Sequence, residues 1–165
     1  MGLSTPMPLQ ARKAKSARRA ADFPPRISPG YLVRDAHRAF QRLLERRITP
    51  YGVSRGQWYF LRVLWTNDGL SQRELSARVG MMEPTTVIAL RSMEKAGLVR
   101  RVRSGDDRRK VRVLLTAKAK RLRNELLGVA RTITDESEEG LAARDLASFR
   151  RVVARMTANL DRIER

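Results

Sequence analysis

Apolar positions near the start of the chain recur every three or four residues, which is the spacing of one face of an α-helix. One such run covers residues 32–48 and stops before Pro50. A second covers residues 58–65 and is preceded by Ser54 and Gln57, whose spacing predicts a capping box. The pattern therefore predicts two amphipathic helices, each with one face turned towards an apolar core.

Two shorter helices separated by a tight turn are predicted next. Ser71 and Glu74 form a second capping-box pattern, and Gly80 suits the end of the helix that they open. Pro84 suits the first turn of the following helix, which Gly97 ends. A short helix, a turn and a second helix in this order are typical of a helix-turn-helix unit.

A β-hairpin is predicted directly after this unit. The segments LVRRVR (98–103) and KVRVLL (110–115) flank the polar, glycine-containing loop SGDDRR (104–109), which is the pattern of two paired strands. A hairpin in this position is a wing, and in such units the second helix of the pair lies in the major groove of DNA.

The last third of the chain carries two long apolar stripes. One runs from Leu115 to Ile133, and the other runs from Leu146 to Ile163 in steps of three and four residues, the spacing of a coiled-coil seam. One chain has too small a core to cover both stripes, so we expect a homodimer. The predicted fold is mainly α with a small β-hairpin wing, a winged helix-turn-helix plus long dimerisation helices. Its predicted parts are a basic flexible arm (1–28), a dimerisation helix (29–50), a winged helix-turn-helix domain (51–116) and C-terminal dimerisation helices (117–165).

The charge balance indicates the kind of partner. Lys and Arg number 35 against 17 Asp and Glu, which gives a net charge of +18. Such an excess favours a polyanionic partner, either nucleic acid or an anionic membrane surface. The seam of the last helices fits protein pairing better than membrane binding. We therefore expect double-stranded DNA as the partner and no membrane.

Missing residue types argue against several classes of protein. The chain has no cysteine and a single histidine, His37, so a disulfide framework, a thiol sensor, a metal site and a His-based catalytic triad are not expected. The sequence offers no carboxylate pair, phosphate-binding glycine loop or nucleophile elbow, so neither an enzyme nor a bound cofactor is expected. Without a long apolar run or a secretory signal, the prediction is a cytoplasmic protein.

Three segments resemble one family of regulators. ELSARVGMMEPTTVIALRSMEKAGLVRR (74–101, with Met81 as an extra residue) resembles the helix-turn-helix of the MarR family, DDRRKVRVLLT (106–116) its wing and GVSRGQWYFLRVL (52–64) its second helix. The resemblance implies a homodimer whose two winged lobes bind a pseudo-palindromic operator, usually as a repressor. It also implies a small-molecule pocket where the dimerisation helices meet the DNA-binding lobe, and release of the DNA when the ligand binds.

The candidate DNA contacts lie on the two helices of the pair and on the wing. They are Ser71, Gln72 and Arg73 on the supporting helix, Pro84, Thr85, Thr86, Val87, Ile88 and Arg91 on the second helix, and Arg103, Arg108, Arg109 and Lys110 on the wing. Gln72 and Arg73 are candidates for phosphate. The alternative is that the second helix and the wing are merely exposed, solvated surfaces.

Base reading is expected from the second helix, whose spacing turns Thr86 towards the core. Thr85 can hydrogen-bond a base edge or a phosphate, and Val87 and Ile88 can pack on thymine methyl groups. Many members of the resembled family carry a Ser-Arg pair in place of Val87 and Ile88, which makes Arg91 the principal specific contact here.

Insertion into the minor groove is expected from the tip of the wing. The resemblance implies that Arg109 can pair with Asp107 and hold the shape of the wing, which leaves Arg108 as the expected contact.

Candidate ligand-binding residues lie on the first two helices and on the connector between them. These residues, which can surround an aromatic acid with Arg62 or His37 meeting its carboxylate, are His37, Phe40, Tyr51, Trp58 and Arg62. The aromatic effector is an expectation from the resemblance, and the excess of basic residues leaves room for an acyl-coenzyme A thioester. The alternatives are a core histidine at position 37 and ordinary core packing for Phe40 and Trp58.

Two further questions stay open at the level of sequence. A non-specific architectural DNA-binding protein would carry the same charge but would need neither a pocket nor a preferred site. The basic arm could contact DNA beside the half-sites or could only add non-specific affinity and solubility.

Overall fold

The computed structural model describes residues 28–103 and 111–164. Its elements in chain order are α1 (Pro29–Ile48), a 3-10 turn (Thr49–Tyr51), α2 (Arg55–Leu64), β1 (Leu70–Ser71), α3 (Gln72–Val79), α4 (Glu83–Lys95), β2 (Val99–Arg103), β3 (Val111–Leu115), α5 (Ala117–Glu138) and α6 (Ala143–Glu164). The predicted fold class, mainly helical with a small wing, is confirmed. Of the predicted basic arm, residues 1–27 lie outside the described chain.

The chain separates into two compact units, one ending at Arg42 and the other beginning at Leu43. The second unit holds the apolar core, to which α2, α3, α4, β2, β3 and α5 all contribute. Its fully buried large side chains include Phe60, Leu61, Leu64, Leu75, Leu90, Met93, Leu98 and Leu126. Burying each of these side chains contributes about 1.5–3 kcal/mol, so the winged part of the chain has a core of its own.

Local capping explains where the short helices begin and end. Ser54 and Gln57 form the predicted capping box at the start of α2, and Ser71 and Glu74 form the second one at the start of α3. Gly80 ends α3 with a φ of 72°, a left-handed conformation that glycine adopts without strain. Pro84 lies in the first turn of α4, where its missing N–H costs no hydrogen bond.

The wing is part of a three-stranded antiparallel sheet in the order β1-β3-β2. Val99 pairs with Leu115 and Arg103 with Val111, as a hairpin requires, and Leu70 pairs with Val113. The two wing strands were predicted, but β1 was not. A strand of two residues has no alternation that a sequence pattern could reveal, and it forms because β3 offers it a partner.

The junction between the sheet and α5 is held by Asp68. Its Oδ1 accepts hydrogen bonds from the backbone N–H of Gly69 at 3.0 Å and of Leu115 at 2.8 Å. Its Oδ2 lies 3.1 Å from Nζ of Lys120 on α5. One carboxylate therefore joins the start of β1, the end of β3 and the first turns of α5.

The first turn of α5 is also bonded to α2 and α4. Lys118 Nζ donates to the carbonyl of Ala96 at 2.9 Å, and Trp65 Nε1 donates to the carbonyl of Ala119 at 3.0 Å. A lysine at the last carbonyls of a helix satisfies groups that have no partner within the helix. The end of α4 and the beginning of α5 are thereby fixed to each other.

Large apolar side chains remain exposed on α1 and α6. Within the described chain, α6 buries none of its residues. The exposed apolar residues of these two helices are Tyr31, Leu32, Val33 and Phe40 on α1 and Phe149, Val152, Leu160 and Ile163 on α6. Across the described ranges, no helix is both long and apolar enough to span a membrane.

Candidate nucleic-acid interface

The helix α4 has one buried and one exposed face. Thr86, Leu90 and Met93 are fully buried, and they anchor the helix to the core. At 100° per residue, Pro84, Ile88 and Arg91 lie together on the opposite face, and all three are exposed. Ile88 is 69% exposed, so its side chain is accessible to a partner outside the chain.

One predicted contact on α4 is wrong. Thr86 is fully buried, and its Oγ1 donates to the carbonyl of Met82 at 3.2 Å, so its side chain supports the helix from the core side. Pro84, Thr85, Ile88 and Arg91 are exposed as predicted, and Val87 is half-buried. Helical periodicity predicts Thr86 on the buried face, and this prediction, rather than that of a DNA contact, is the correct one.

The supporting helix α3 begins beside the sheet. Ser71 Oγ accepts the N–H of Glu74 and donates to its carboxylate, and the same carboxylate accepts the N–H of Ser71, so this hydroxyl is committed to capping. The backbone N–H and then the hydroxyl of Ser71 hold the pKa of Glu74 below its ordinary value. Gln72 is half-buried and Arg73 is exposed.

Of the four predicted contacts on the wing, only one lies within the described residues. Arg103 is exposed, as predicted, while Arg108, Arg109 and Lys110 lie outside the described residues, as does the predicted pair of Asp107 with Arg109.

Arg101 lies on β2 and donates from Nε and Nη2 to the two carboxylate oxygens of Glu94 at 3.0 and 2.6 Å. The hydrogen bonds from Arg101 lower the pKa of Glu94, and those to Glu94 raise the pKa of Arg101. This bidentate pair ties the wing to the last turn of α4.

Like Arg101, Arg112 on β3 was not among the predicted DNA contacts. Its Nη1 donates to the carbonyl of Gly69 at 2.9 Å, which places the guanidinium at the base of the wing, next to β1. Its charge also lowers the pKa of Glu74. The only available signal was an arginine alternating with apolar residues in KVRVLL, and that pattern gives no partner.

The five candidate ligand-binding residues fall into both compact units. In the first unit His37 and Phe40 are exposed, so neither is a core residue there. In the second unit Trp58 is 6% exposed and meets the ring of Trp65 edge-on at 5.9 Å, which supports core packing for Trp58. The guanidinium of Arg62 lies 5.6 Å from the centre of the Trp58 ring, and Tyr51 is half-buried against the core.

A shallow cavity of about 480 Å³ lies where α5 meets α6. Four carboxylates line it together with Leu146: Asp135, Glu136, Glu138 and Glu139. Two of them have cationic partners, because Glu136 binds Arg47 and Glu138 binds Arg150. An acidic lining does not suit an anionic effector. Among the described residues, no group of three His, Asp or Glu side chains could hold a metal ion.

Comparisons with known proteins agree with this arrangement. Residues 51–110, which run from the start of the DNA-binding part to the wing, match a model of the MarR family. A MarR transcriptional regulator from Methanosarcina mazei Go1 is 29% identical, with a TM-score of 0.73 over 81% of this chain and 96% of that chain. Transcriptional regulator PA3341 is 32% identical, with a TM-score of 0.70 over 81% of this chain and 98% of that chain.

A third solved structure contains DNA. It is a transcriptional repressor, CouR, bound to a 23-mer DNA duplex, and it is 25% identical with a TM-score of 0.68 over 81% of this chain and 92% of that chain. Each of these three matches covers 81% of this chain, which is more than the helix-turn-helix and its wing alone. The chain therefore belongs to the MarR family and is a DNA-binding transcriptional regulator.

Proposed function

We propose that this protein is a homodimeric repressor that binds a pseudo-palindromic operator and is released from it by a small anionic ligand. The observation that carries the proposal is the exposed face of α4, where Ile88 and Arg91 stand one turn apart with no partner among the described residues. A regulator with this face reads a thymine methyl group and an adjacent guanine or phosphate.

The apolar faces of α1 and α6 support a second copy of the chain as the dimer partner. Phe149, Leu160 and Ile163 are each more than half exposed and follow the coiled-coil spacing that the sequence predicts. Leaving such a stripe in water forgoes about 25 cal/mol for each Å² of apolar surface. A two-fold pair of winged lobes also explains why the operator would be pseudo-palindromic.

Support for an anionic effector comes from α2. Arg62 is exposed, and its guanidinium is held against the ring of Trp58. An aromatic acid could stack beside this ring and pair its carboxylate with Arg62, and a coenzyme A thioester of the same acid is the larger candidate. Release is an extension from the family, and repression has the support that the similar protein CouR is described as a repressor. We expect the protein to act in the cytoplasm and to have no catalytic activity.

Selection from a random duplex library tests the DNA-reading part of the proposal. We expect a preferred duplex with two half-sites, bound far more tightly than scrambled DNA. The Arg91→Ala variant is expected to lose about 1–3 kcal/mol on the preferred duplex and to discriminate less between the two. A wild-type specificity ratio near one would instead favour a non-specific architectural protein.

The effector part is tested by a thermal-shift screen. Phenolic acids and their coenzyme A thioesters are added separately, and stabilisation rises with ligand concentration over Kd. We expect at least one compound both to stabilise the protein and to release the selected duplex. An Arg62→Gln variant should lose the response to free acids, whereas compounds that stabilise both proteins equally would argue against Arg62.

A further inference from the structure

The side chain of Gln57 connects the beginning of α2 to the middle of α4. Gln57 is 7% exposed, and both ends of its amide are used. Its Oε1 accepts the backbone N–H of Ser54 at 3.0 Å, as the capping box requires. Its Nε2 lies 3.0 Å from Oγ of Ser92 on α4.

The capping box determines the direction of the bond to Ser92. A backbone N–H can only donate, so the atom of Gln57 that meets Ser54 must be the carbonyl oxygen. The other end is then the NH₂ group, which can only donate. Ser92 Oγ is therefore the acceptor in this bond, and its own hydrogen is left to point elsewhere.

That hydrogen has no acceptor in the described chain. Other helical hydroxyls donate to the carbonyl four residues earlier, as Thr86 does to Met82 and Thr132 does to Gly128. Ser92 makes no such bond among the described residues, and its side chain is exposed to solvent. The Ser92 hydroxyl oxygen thus accepts a hydrogen bond from a buried amide, while its own hydrogen faces solvent.

Ser92 shares an edge of α4 with a predicted DNA contact. Thr85 lies seven residues earlier, which is almost two full turns, so the two hydroxyls point in nearly the same direction. Ile88 lies between them on the exposed face. Ser92 therefore belongs to the surface that the proposed function turns towards DNA, although the sequence prediction did not select it.

We propose that Ser92 donates a hydrogen bond to a phosphodiester oxygen of the operator, and that Gln57 is the positioning residue that keeps this hydroxyl pointing outwards as a donor. The inference rests on the proposed function, because it requires α4 to lie in the groove. The N-terminal residues of a recognition helix read bases, and Ser92 is in the third turn, towards the groove wall. The DNA backbone offers acceptors, which matches a hydroxyl whose hydrogen has no acceptor among the described residues.

Ser92→Ala is the first test, with the duplex selected by the wild-type protein as the probe. We expect about a tenfold loss of affinity, since the lost bond has a charged acceptor. The dependence of affinity on salt should not change, because a neutral hydroxyl releases no counterion. Ser137→Ala, at an exposed serine on α5, is the matched control and should bind like the wild type.

Gln57→Glu tests the positioning role without breaking the capping box. A carboxylate still accepts from Ser54, but it cannot donate, so the hydroxyl of Ser92 would turn inwards to bond to it. We expect a loss of affinity similar to that of Ser92→Ala, and a much smaller loss when Gln57→Glu is made in the Ser92→Ala background. Equal losses in both backgrounds would overturn the role of Gln57, because a merely structural or charge effect does not require Ser92.

Methylphosphonate substitution identifies the acceptor. Each phosphate of the selected duplex is replaced in turn by a neutral methylphosphonate. We expect one position in each half-site where the replacement weakens the wild type but not Ser92→Ala. If both proteins respond alike at every phosphate, the phosphate assignment is wrong. A wild type that prefers no duplex refutes the proposed function itself, whereas Ser92→Ala binding as tightly as the wild type to a preferred duplex refutes only this inference.

Discussion

Removing the carboxylate of Asp68 should destabilise the winged part of the chain well beyond what a surface charge contributes. In Asp68→Ala the N–H of Leu115, a residue that is 6% exposed, loses its acceptor at 2.8 Å. A buried donor without a partner costs about 1–3 kcal/mol. The ion pair with Lys120, whose side chain is 60% exposed, adds well under about 1 kcal/mol. The expected loss is about 2 kcal/mol.

Urea unfolding followed by circular dichroism measures this loss, with all proteins at the same concentration because dimerisation would link stability to concentration. With a slope of about 1–3 kcal/mol per molar urea, the midpoint should fall by about 1 M. Asp68→Asn retains an oxygen that can accept from Gly69 and Leu115, so it should lose less than half as much.

Asp145→Ala is the matched control for the Asp68 variants. Asp145 is on α6, and its carboxylate lies 3.8 Å from Arg144 with 67% of the side chain exposed, so its removal should cost about 0.5 kcal/mol or less. The reasoning is refuted if Asp68→Ala is no worse than this control. It is also refuted if Asp68→Asn is as damaging as Asp68→Ala, because the charge and not the accepted hydrogen bonds would then be decisive.

Two other predictions concern the wing and the dimer. Glu94→Gln should lower stability at pH 7 by about 0.5 kcal/mol. Because the pKa of Glu94 is lowered in the folded state, this difference is present above its ordinary pKa of 4.5 and disappears as the pH falls through the lower folded value, which unfolding curves at several pH values would reveal. If the proposed dimer forms, Phe149→Glu should raise its dissociation constant more than a hundredfold, as seen by light scattering, because the variant buries an unpaired charge. Ala158→Glu, on the opposite face of α6, should leave that dimer intact. If both variants behave alike, Phe149 does not lie in the interface.

Local signals in the sequence predicted most of the fold correctly. The capping boxes at Ser54 and Ser71 depend on residues three positions apart, and they form where the pattern indicates. The faces of α4 follow from helical periodicity alone, which places Thr86 on the buried face although Thr86 was also among the predicted DNA contacts.

Contacts between residues that are far apart along the chain could not be predicted from the sequence. β1 exists only because Leu70 meets Val113. Gln57 was recognised as a cap, but its bond to Ser92, 35 positions away, depends on how α2 packs on α4. Arg101 was one basic residue among many until its partner Glu94 was known. The excess of Lys and Arg predicts a polyanionic partner. Only the structure shows which of these basic side chains are already paired with a carboxylate.

The charges along α5 have a consequence for how the protein meets DNA. Its first turns carry Lys118 and Lys120 beside the winged part, while Asp135, Glu136 and Glu138 lie in its last turn. At 1.5 Å per residue these ends are about 25 Å apart, and the charges run against the preference of the helix dipole at both ends. Although several of these side chains are ion-paired, a polyanion should attract the first end of α5 more than the second, which favours an approach with the winged part first. Productive encounters should therefore become more frequent as ionic strength falls.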